Sequence, residues 1–275
     1  MNPNALADKE AALLDYFRSA GSAAVAFSGG TDSTLLAAAA HEVLGDKAAA
    51  ITVRSAFTPA REAKEAEAFC RDIGLTLITL TVPVLENETI RSNPADRCYH
   101  CKKLLFTKIL AEAERRGLAV VCEGSNTDDL ADYRPGRKAI EELGVASPLL
   151  LAGISKAEVR ALLKARDLPA WKKPSAACLA SRIPYGTPLA EEDLIMVDRA
   201  EMCLADLGFS GVRVRKHGKL ARIETQEADI ARLADPAVRS LVTERLAELG
   251  FSFVTLDLAG YRMGSLNPDE VRSRL

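Results

Sequence analysis

The sequence predicts an α/β protein: a doubly wound, mostly parallel sheet followed by a smaller C-terminal α+β domain. Short apolar runs alternate with helical patterns over most of the chain, which is typical of parallel strands joined by helical crossovers. Glycines follow several apolar helical patterns, as C-terminal stops do. The pattern changes near Pro184, where a Pro-Tyr-Gly-Thr-Pro segment begins. We therefore expect two domains, residues 1–183 and 184–275.

Apolar periodicity defines the elements of the first domain in order. A helix is predicted over residues 5–18, and helical patterns lie between most of the strands that follow. The predicted strands are residues 23–27, 49–53, 75–82, 119–122 and 148–151. Because ligands of such sheets bind at the carboxyl ends of the strands, the turns at Ser28, Ser55 and Gly124 should share one crevice.

The second domain is predicted from a different pattern. A helix over residues 191–207 precedes two stretches of alternating character, residues 212–215 and 220–223, around a turn at 217–219. This pattern indicates a β-hairpin. Two further helices and a strand over residues 253–258 complete the α+β unit.

Composition restricts the classes of function. The 275 residues are 48% hydrophobic with a net charge of -2, and the pI is near 6.0. A chain without a broad cationic field is a poor candidate for a long nucleic acid, although local arginines can still bind small anions. We find no apolar stretch of transmembrane length and no signal-peptide pattern, so we expect a cytoplasmic protein without a membrane partner.

The first predicted strand leads directly into Ser28, Gly29, Gly30, Thr31, Asp32 and Ser33. Paired glycines let the backbone approach a polyanion, and the following helix directs its free N–H groups toward it. Asp32 makes sense beside phosphates mainly as a ligand of Mg²⁺. No lysine follows the glycines, so the Walker pattern is absent. The alternative is a Gly-Gly turn with a polar helix cap.

Six cysteines, with Cys98 and Cys101 in a C-x-x-C pair, favour metal or redox chemistry over a disulfide framework. Cys70, Cys122 and Cys203 are interpreted as core residues. Cys98, Cys101 and Cys178 lie in polar or small-residue segments near cations. Three thiolates can hold a 4Fe-4S cluster and leave one iron open to a sulfide or substrate group. A disulfide or three unrelated cysteines remain alternatives.

The residues 28–33 resemble the PP-loop, S-G-G-x-D-S, of the ATP pyrophosphatase superfamily. This resemblance implies an adenine nucleotide alpha hydrolase-like fold, attack on the α-phosphorus of ATP and release of pyrophosphate. Over nearly its whole length the chain also resembles the LarE family of ATP-dependent sulfur transferases, which serve biosynthesis of the nickel-pincer nucleotide cofactor. The matching stretches are residues 26–33, 132–136, 180–186, 212–215 and 255–262.

The LarE resemblance implies a reaction. The enzyme is expected to adenylate a carboxylate of pyridinium-3,5-biscarboxylic acid mononucleotide and to convert the acyl-adenylate to a thiocarboxylate. Cys98, Cys101 and Cys178 resemble the family members that hold a 4Fe-4S cluster and pass on a bound sulfide from a sulfide source. Other members of the family give up the sulfur of one of their own cysteines. A self-consuming Cys178 is therefore the alternative. The resemblance also suggests a homo-oligomer.

Site residues follow from these arguments. Asp32 and Cys178 are the catalytic candidates, with Mg²⁺ on Asp32. The candidates for ATP are Ser28, Gly29, Gly30, Asp32 and Ser33, with Ser55 and Gly124 for adenosine. Arg182, Arg213 and Arg215 are expected to bind the substrate phosphate and carboxylates, although a solvated basic edge strand is the alternative for Arg213 and Arg215. Weaker candidates are Asp129, Asp132, Arg134 and Glu201.

Three competing functions remain open at this point. The first is a PP-loop tRNA thiolase that uses a cluster, and it predicts salt-sensitive tRNA binding. The second is an amide-forming ligase, which would not need the three cysteines. The third is a nucleotide-binding module without catalysis, which would not need Asp32.

Overall fold

The computed structural model describes residues 3–130, 135–173 and 177–262. These residues form two compact units. The first contains the described residues of 3–82 and 98–173, and the second contains residues 83–97 and 177–262. The second unit thus includes a short segment that precedes Cys98 in the chain.

The elements alternate along the chain as the sequence predicts. The strands are β1 (Ala23–Ala26), β2 (Ala48–Arg54), β3 (Thr76–Thr81), β4 (Val120–Cys122), β5 (Arg213–His217), β6 (Leu220–Glu224) and β7 (Phe253–Leu256). The helices are α1 (Pro3–Ala20), α2 (Thr31–Leu44), α3 (Ala60–Ile73), α4 (Glu88–Arg91), α5 (Arg97–Arg115), α6 (Gly136–Glu142), α7 (Pro148–Leu151), α8 (Lys156–Ala165), α9 (Glu191–Asp206), α10 (Glu227–Ala234) and α11 (Pro236–Glu248). None of these helices is long and apolar enough to span a lipid bilayer.

The first unit is built on a parallel sheet with the strand order β3-β2-β1-β4. Successive residues of a strand face opposite sides of the sheet, and the core divides accordingly. Ala23 and Val25 pack in one apolar cluster with α1 and α2, whereas Ala24 and Ile51 pack in a second cluster with α5. Helices therefore cover both faces, and the prediction of a doubly wound sheet is confirmed.

The strand predicted over residues 148–151 is wrong. The chain makes a single parallel bridge between Ala146 and Cys122 and then forms the short helix α7. Pro148 occupies the first turn of this helix, where its missing N–H and fixed φ are tolerated. The continuous apolar run that follows does not distinguish a buried helix from a buried strand.

The second unit contains the predicted hairpin. Strands β5 and β6 pair antiparallel, and β7 adds to β6 in parallel, so that the sheet order is β5-β6-β7. A separate apolar core joins this sheet to α9, α10 and α11. The sequence prediction of an α+β unit is confirmed, whereas the boundary at residue 184 stays a prediction.

Candidate functional site

The loop after β1 forms a compact turn. Phe27 continues the sheet by donating its N–H to the carbonyl of Ile51, with a nitrogen to oxygen distance of 2.9 Å. Gly29 has φ +73, a backbone conformation that favours glycine. The hydroxyl of Ser28 accepts the Gly30 N–H at 3.3 Å and lies 3.1 Å from the hydroxyl of Ser33. These contacts hold the loop at the start of α2.

Asp32 lies in the first turn of α2, and its two carboxylate oxygens have different partners. Asn126 donates its side-chain amide to Oδ1 at 3.1 Å, and the ammonium of Lys156 forms an ion pair with Oδ2. Asn126 is almost fully buried, whereas both members of the ion pair are partly exposed. A carboxylate at this position, together with phosphate oxygens, fits the ligand preference of Mg²⁺.

Gly124 lies directly against the start of α2. A Cβ at this residue would be 3.0 Å from the backbone nitrogen of Ser33 and 3.1 Å from the Cβ of Asp32. The residue before it, Glu123, is buried and accepts hydrogen bonds from Ser125 and Ser147. The structure therefore brings Gly124 together with Asp32 and Ser33, as expected of strand ends in one sheet.

A second lysine reaches the loop from a distant part of the chain. Lys173 donates to the carbonyl of Gly29 at 2.9 Å and pairs with the carboxylate of Glu65 at 2.8 Å. Burial raises the pKa of Glu65, but hydrogen bonds from Lys173 and Arg61 outweigh it and lower the pKa overall. This pair anchors the outer side of the loop to α3.

Ser55 follows β2, but its hydroxyl forms hydrogen bonds within its own turn. It accepts the N–H of Phe57 at 3.2 Å and lies 3.3 Å from the hydroxyl of Thr58. Its proposed contact with adenosine stays a prediction.

The C-x-x-C pair lies on the first turns of α5, because this helix begins at Arg97. Both thiols are half-buried and neither forms a disulfide. Gly136 packs closely beside this turn, since a Cβ there would be 2.7 Å from the Cδ of Lys102 and 3.4 Å from the carbonyl oxygen of Cys98. The pair thus places two thiols three residues apart near a helix N-terminus.

Three cysteines belong to the cores, as the sequence predicts. Burial raises the pKa of the Cys70 and Cys122 thiols to about 12, which makes both poor metal ligands and nucleophiles. Cys203 is partly buried against the core of the second unit.

Cys178 is exposed and precedes a 3-10 turn, Leu179–Arg182. Its carbonyl accepts the N–H and the hydroxyl of Ser181, at 3.0 Å and 2.8 Å. The Nη1 of Arg182 also donates to this carbonyl at 3.2 Å. The backbone of Cys178 is therefore fixed while its thiol stays accessible.

Arg182 connects this turn to a buried arginine cluster. Its guanidinium pairs with Glu201 at 2.8 Å, and the two side chains are 3% and 14% exposed. Glu201 also accepts the N–H of Val214 at 2.9 Å. Glu201, a weak candidate from the sequence, is thus a central partner of this cluster.

The two strand arginines are buried, so the alternative of a solvated basic edge is wrong for this pair. Arg215 pairs with Glu224 at 2.8 Å and donates to the carbonyl of Ser181 at 2.9 Å. The guanidinium of Arg213 lies 5.5 Å from the ring centre of Tyr261. Burial, and then the nearby charge of Arg182, lowers the pKa of Arg213.

The arginines of this cluster lie close to one another. Among the described residues, ion pairs join Arg182 to Glu201, Arg215 and Arg222 to Glu224, and Arg222 to Asp257, and both Arg182 and Arg215 lie near Arg213. Buried like charges repel strongly in a medium of low dielectric constant. An anionic group such as a phosphate would relieve this repulsion.

Arg97 is the residue before Cys98 and belongs to the second unit. It is 1% exposed and donates to the carbonyl of Ala180 at 3.1 Å, two residues beyond Cys178. It also bonds to the side chain of Asn93 and lies over the ring of Tyr185. These contacts attach the segment that leads into the C-x-x-C pair to the turn that follows Cys178.

One of the weaker site candidates has a structural role, and two others lie outside the residues that the structure describes. Asp129 is buried and accepts the N–H of Asn126 at 3.1 Å, so it supports a turn. Asp132 and Arg134 lie outside the described residues. Within residues 3–130, 135–173 and 177–262, no group of three or more His, Cys, Asp or Glu side chains is arranged to hold a metal ion.

Sequence reasoning missed Asn126, Lys156 and Lys173. Asn126 follows a strand end, which is a detectable signal. Lys156 follows Ser155 and precedes Glu158, and this S-x-x-E pattern marks a capped helix start that the structure confirms. No comparable signal points to Lys173.

Comparisons with known proteins agree with this geometry. Residues 6–96 match the NAD synthase family model. A pyridinium-3,5-bisthiocarboxylic acid mononucleotide synthase of Lactiplantibacillus plantarum is 38% identical over 98% of both chains. An uncharacterized protein of Synechocystis sp. is 40% identical over 93% of this chain and 95% of its own length. An uncharacterized protein of Methanocaldococcus jannaschii is 28% identical over 86% of this chain and 90% of its own.

Proposed function

Because the chain belongs to the LarE family of pyridinium-3,5-bisthiocarboxylic acid mononucleotide synthases, we propose that it adenylates a carboxylate of pyridinium-3,5-biscarboxylic acid mononucleotide and replaces the AMP with sulfur. It is a sulfur-transferring enzyme of an ATP-using superfamily. The observation that carries the proposal is the position of Arg182. One side chain holds the backbone of an exposed cysteine and belongs to a buried cluster of arginines and carboxylates.

The loop of residues 28–33 is proposed to bind the phosphates of ATP. Its glycines and the N-terminus of α2 present N–H groups to an anion. A substrate carboxylate oxygen attacks the α-phosphorus, the bond to the β-phosphate breaks, and pyrophosphate leaves. Asp32 would hold Mg²⁺, which neutralises phosphate charge during this step.

The arginine cluster is proposed to bind the mononucleotide phosphate. Arg213 is a candidate for direct contact, because two further arginines lie near its guanidinium and favour an anion there. Arg182 and Arg215 pair with carboxylates, and these pairs hold the cluster in place. Fixing the phosphate orients the pyridinium carboxylate for reaction.

Sulfur transfer is proposed to involve Cys98, Cys101 and Cys178. Cysteine thiolates are the right ligand type for a 4Fe-4S cluster, which would supply a bound sulfide when present. Cys98, Cys101 and Cys178 are the ligand set that the family resemblance implies. Sulfur attacks the acyl carbon of the adenylate, the C–O bond to AMP breaks, and a thiocarboxylate forms.

A self-consuming Cys178 remains the alternative sulfur source, because its thiol is exposed on a fixed backbone. In that reaction the sulfur attacks the acyl-adenylate and the Cβ–S bond then breaks with loss of the α-proton, which leaves dehydroalanine. A homo-oligomer and a separate sulfide source remain proposals from the family resemblance, and a cytoplasmic location remains a proposal from the sequence pattern.

The test separates activation from sulfur transfer. Exchange of labelled pyrophosphate into ATP should require the mononucleotide dicarboxylate and should survive in Cys178→Ala, whereas thiocarboxylate formation should be lost. Cys203→Ala is the matched control and should retain both reactions. Exchange that ignores the mononucleotide would contradict the assigned substrate. An unchanged yield of thiocarboxylate in Cys178→Ala would contradict the role of this cysteine.

A further inference from the structure

Asn93 is fully buried in a backbone conformation that glycine adopts most readily. Its φ is +58, in the left-handed region, and the residue is 0% exposed. Among the described residues other than glycine, only Asp167 shares a positive φ, and that residue is exposed. A buried residue keeps such a conformation only where its surroundings hold it, and such positions are concentrated at functional sites.

The contacts of Asn93 support the segment that follows Arg182. Its side-chain amide donates to the carbonyl oxygens of Pro184 at 2.8 Å and Thr187 at 3.1 Å. Its own carbonyl accepts the N–H of Gly186 at 2.8 Å. This segment is neither helix nor strand, so its backbone groups depend on partners outside a regular ladder. Asn93 supplies three of these bonds.

Arg97 extends this support to the turn Leu179–Arg182. Its guanidinium bonds to the side-chain oxygen of Asn93 and donates to the carbonyl of Ala180 at 3.1 Å. The same guanidinium lies 5.3 Å from the ring centre of Tyr185. Arg97 is 1% exposed, and a charge buried to this extent is costly unless it is hydrogen-bonded. The position of Arg97 therefore depends on the side chain of Asn93.

Two sets of contacts thus fix the turn Leu179–Arg182. One set comes from the arginine cluster, because Arg215 donates to the carbonyl of Ser181 at 2.9 Å and Arg182 donates to that of Cys178 at 3.2 Å. The other set is that of Asn93 and Arg97. Asn93 is not a member of the arginine cluster, so its contacts act on the turn itself.

We propose that Asn93 is a positioning residue for sulfur transfer, and that it acts by fixing, directly and through Arg97, the turn that begins at Cys178. This inference rests on the proposed role of Cys178. Because Asn93 is fully buried, it acts through the turn and not on the substrate. A displacement of about 1 Å in a reacting group can cost about 100-fold in rate, so the position of this backbone matters for sulfur delivery.

Hydrogen exchange on the full chain tests the assignment without relying on turnover. Asn93→Gly keeps the backbone conformation and removes the side-chain bonds. The amides of Ser181 and Ile183, which are bonded within the turn, should exchange about 10- to 100-fold faster in this variant. The amides of β6 should change much less. A purely global loss of stability would instead raise the exchange rates of both groups alike.

Activity supplies the second readout. In Asn93→Gly, thiocarboxylate formation should slow by about tenfold or more, whereas pyrophosphate exchange at saturating mononucleotide should persist. Asp167→Gly is the matched control, because it makes the same substitution at an exposed residue with φ +54. It should leave both reactions and the exchange rates of the turn unchanged.

A second variant keeps the inference testable if Asn93→Gly does not fold. Arg97→Lys keeps the charge but removes the fork that joins Asn93 to Ala180, and it should loosen the turn in the same way. Unchanged amide exchange in the turn, or equal slowing of the two reactions, would overturn the inference. An unchanged thiocarboxylate yield in Cys178→Ala would overturn the proposed function while the exchange result still stood, so the two failures are distinguishable.

Discussion

Replacing Glu201 by glutamine changes the charge balance of the arginine cluster while keeping the shape of the side chain. Glu201 accepts two hydrogen bonds from Arg182, at 2.8 Å and 2.9 Å, and one from the N–H of Val214 at 2.9 Å. A glutamine keeps one accepting oxygen but turns an N–H₂ group toward a guanidinium or a backbone donor. The variant therefore loses a charge and gains an unfavourable donor contact.

The structure indicates a large loss of stability. Both members of the Arg182–Glu201 pair are mostly buried, at 3% and 14% exposure. Breaking a buried ion pair by removing one partner costs about 3–5 kcal/mol. Because glutamine retains part of the hydrogen bonding, we expect a value of about 3 kcal/mol, near the lower end of that range.

Urea unfolding of the full chain measures this change. Glu141→Gln is the control, because Glu141 pairs with Arg137 at 3.2 Å and is 68% exposed. A surface pair of this kind contributes below about 1 kcal/mol. Inorganic phosphate should stabilise Glu201→Gln more than the parent chain, since the variant has lost one negative charge beside its buried arginines. Equal stability in Glu201→Gln and Glu141→Gln, with no difference in their response to phosphate, would show that Glu201 does not balance the charge of the buried arginines.

Three further changes test separate parts of the account. Gly124→Ala should lower ATP affinity and cost about 1–3 kcal/mol of stability, because its Cβ would lie 3.1 Å from that of Asp32. Calorimetry and urea unfolding measure the two effects. Gly144→Ala is the control, because it adds only backbone strain at φ +66. Glu65→Gln should reduce the fall in the free energy of unfolding at acid pH. The lowered pKa of Glu65 stabilises the fold above its ordinary value of 4.5, and this contribution is lost as pH falls through the folded pKa. An unchanged pH dependence in urea unfolding would contradict this. Gly260→Ala should reduce the stabilisation of the chain by phosphate. Gly260 has φ +67, and a Cβ there would lie 2.9 Å from the Thr225 carbonyl oxygen, so the following tyrosine would be displaced from Arg213. Equal phosphate-induced shifts in melting temperature for the variant and the parent chain would contradict a role of this tyrosine in phosphate binding.

The sequence predicts the sheet and the anion-binding loop well, because both depend on local patterns. Alternating apolar runs and glycine stops define β1 to β4 within a residue or two of their observed ends. The exception is the apolar run at residues 148–151, where length and hydrophobicity do not separate a strand from a short buried helix.

The partners of the site residues are harder to predict. Lys156 lies 124 residues from Asp32 in the chain, and Lys173 lies 144 residues from Gly29. Such pairings depend on how α8 and the following turn pack against α2, which no local pattern encodes. The absence of a lysine after the glycines therefore did not mean that the loop lacks cations.

Burial was the other property that local patterns left open. Alternation placed Arg213 and Arg215 on one face of a strand, but it did not show whether that face meets water. The structure pairs Arg215 with a buried glutamate and surrounds Arg213 with further arginines. Glu201, on a helix with no motif of its own, becomes important only through this packing.

We propose that an activated carboxylate of the mononucleotide receives sulfur at a site that includes Cys178. Mass analysis of both product and protein tests this after turnover of anaerobically prepared enzyme with ATP, the mononucleotide dicarboxylate and isotopically labelled sulfide. We expect labelled sulfur in the thiocarboxylate and an intact Cys178. Unlabelled product accompanied by loss of sulfur from Cys178 would contradict delivery by a cluster, and absence of thiocarboxylate would contradict the proposed reaction itself.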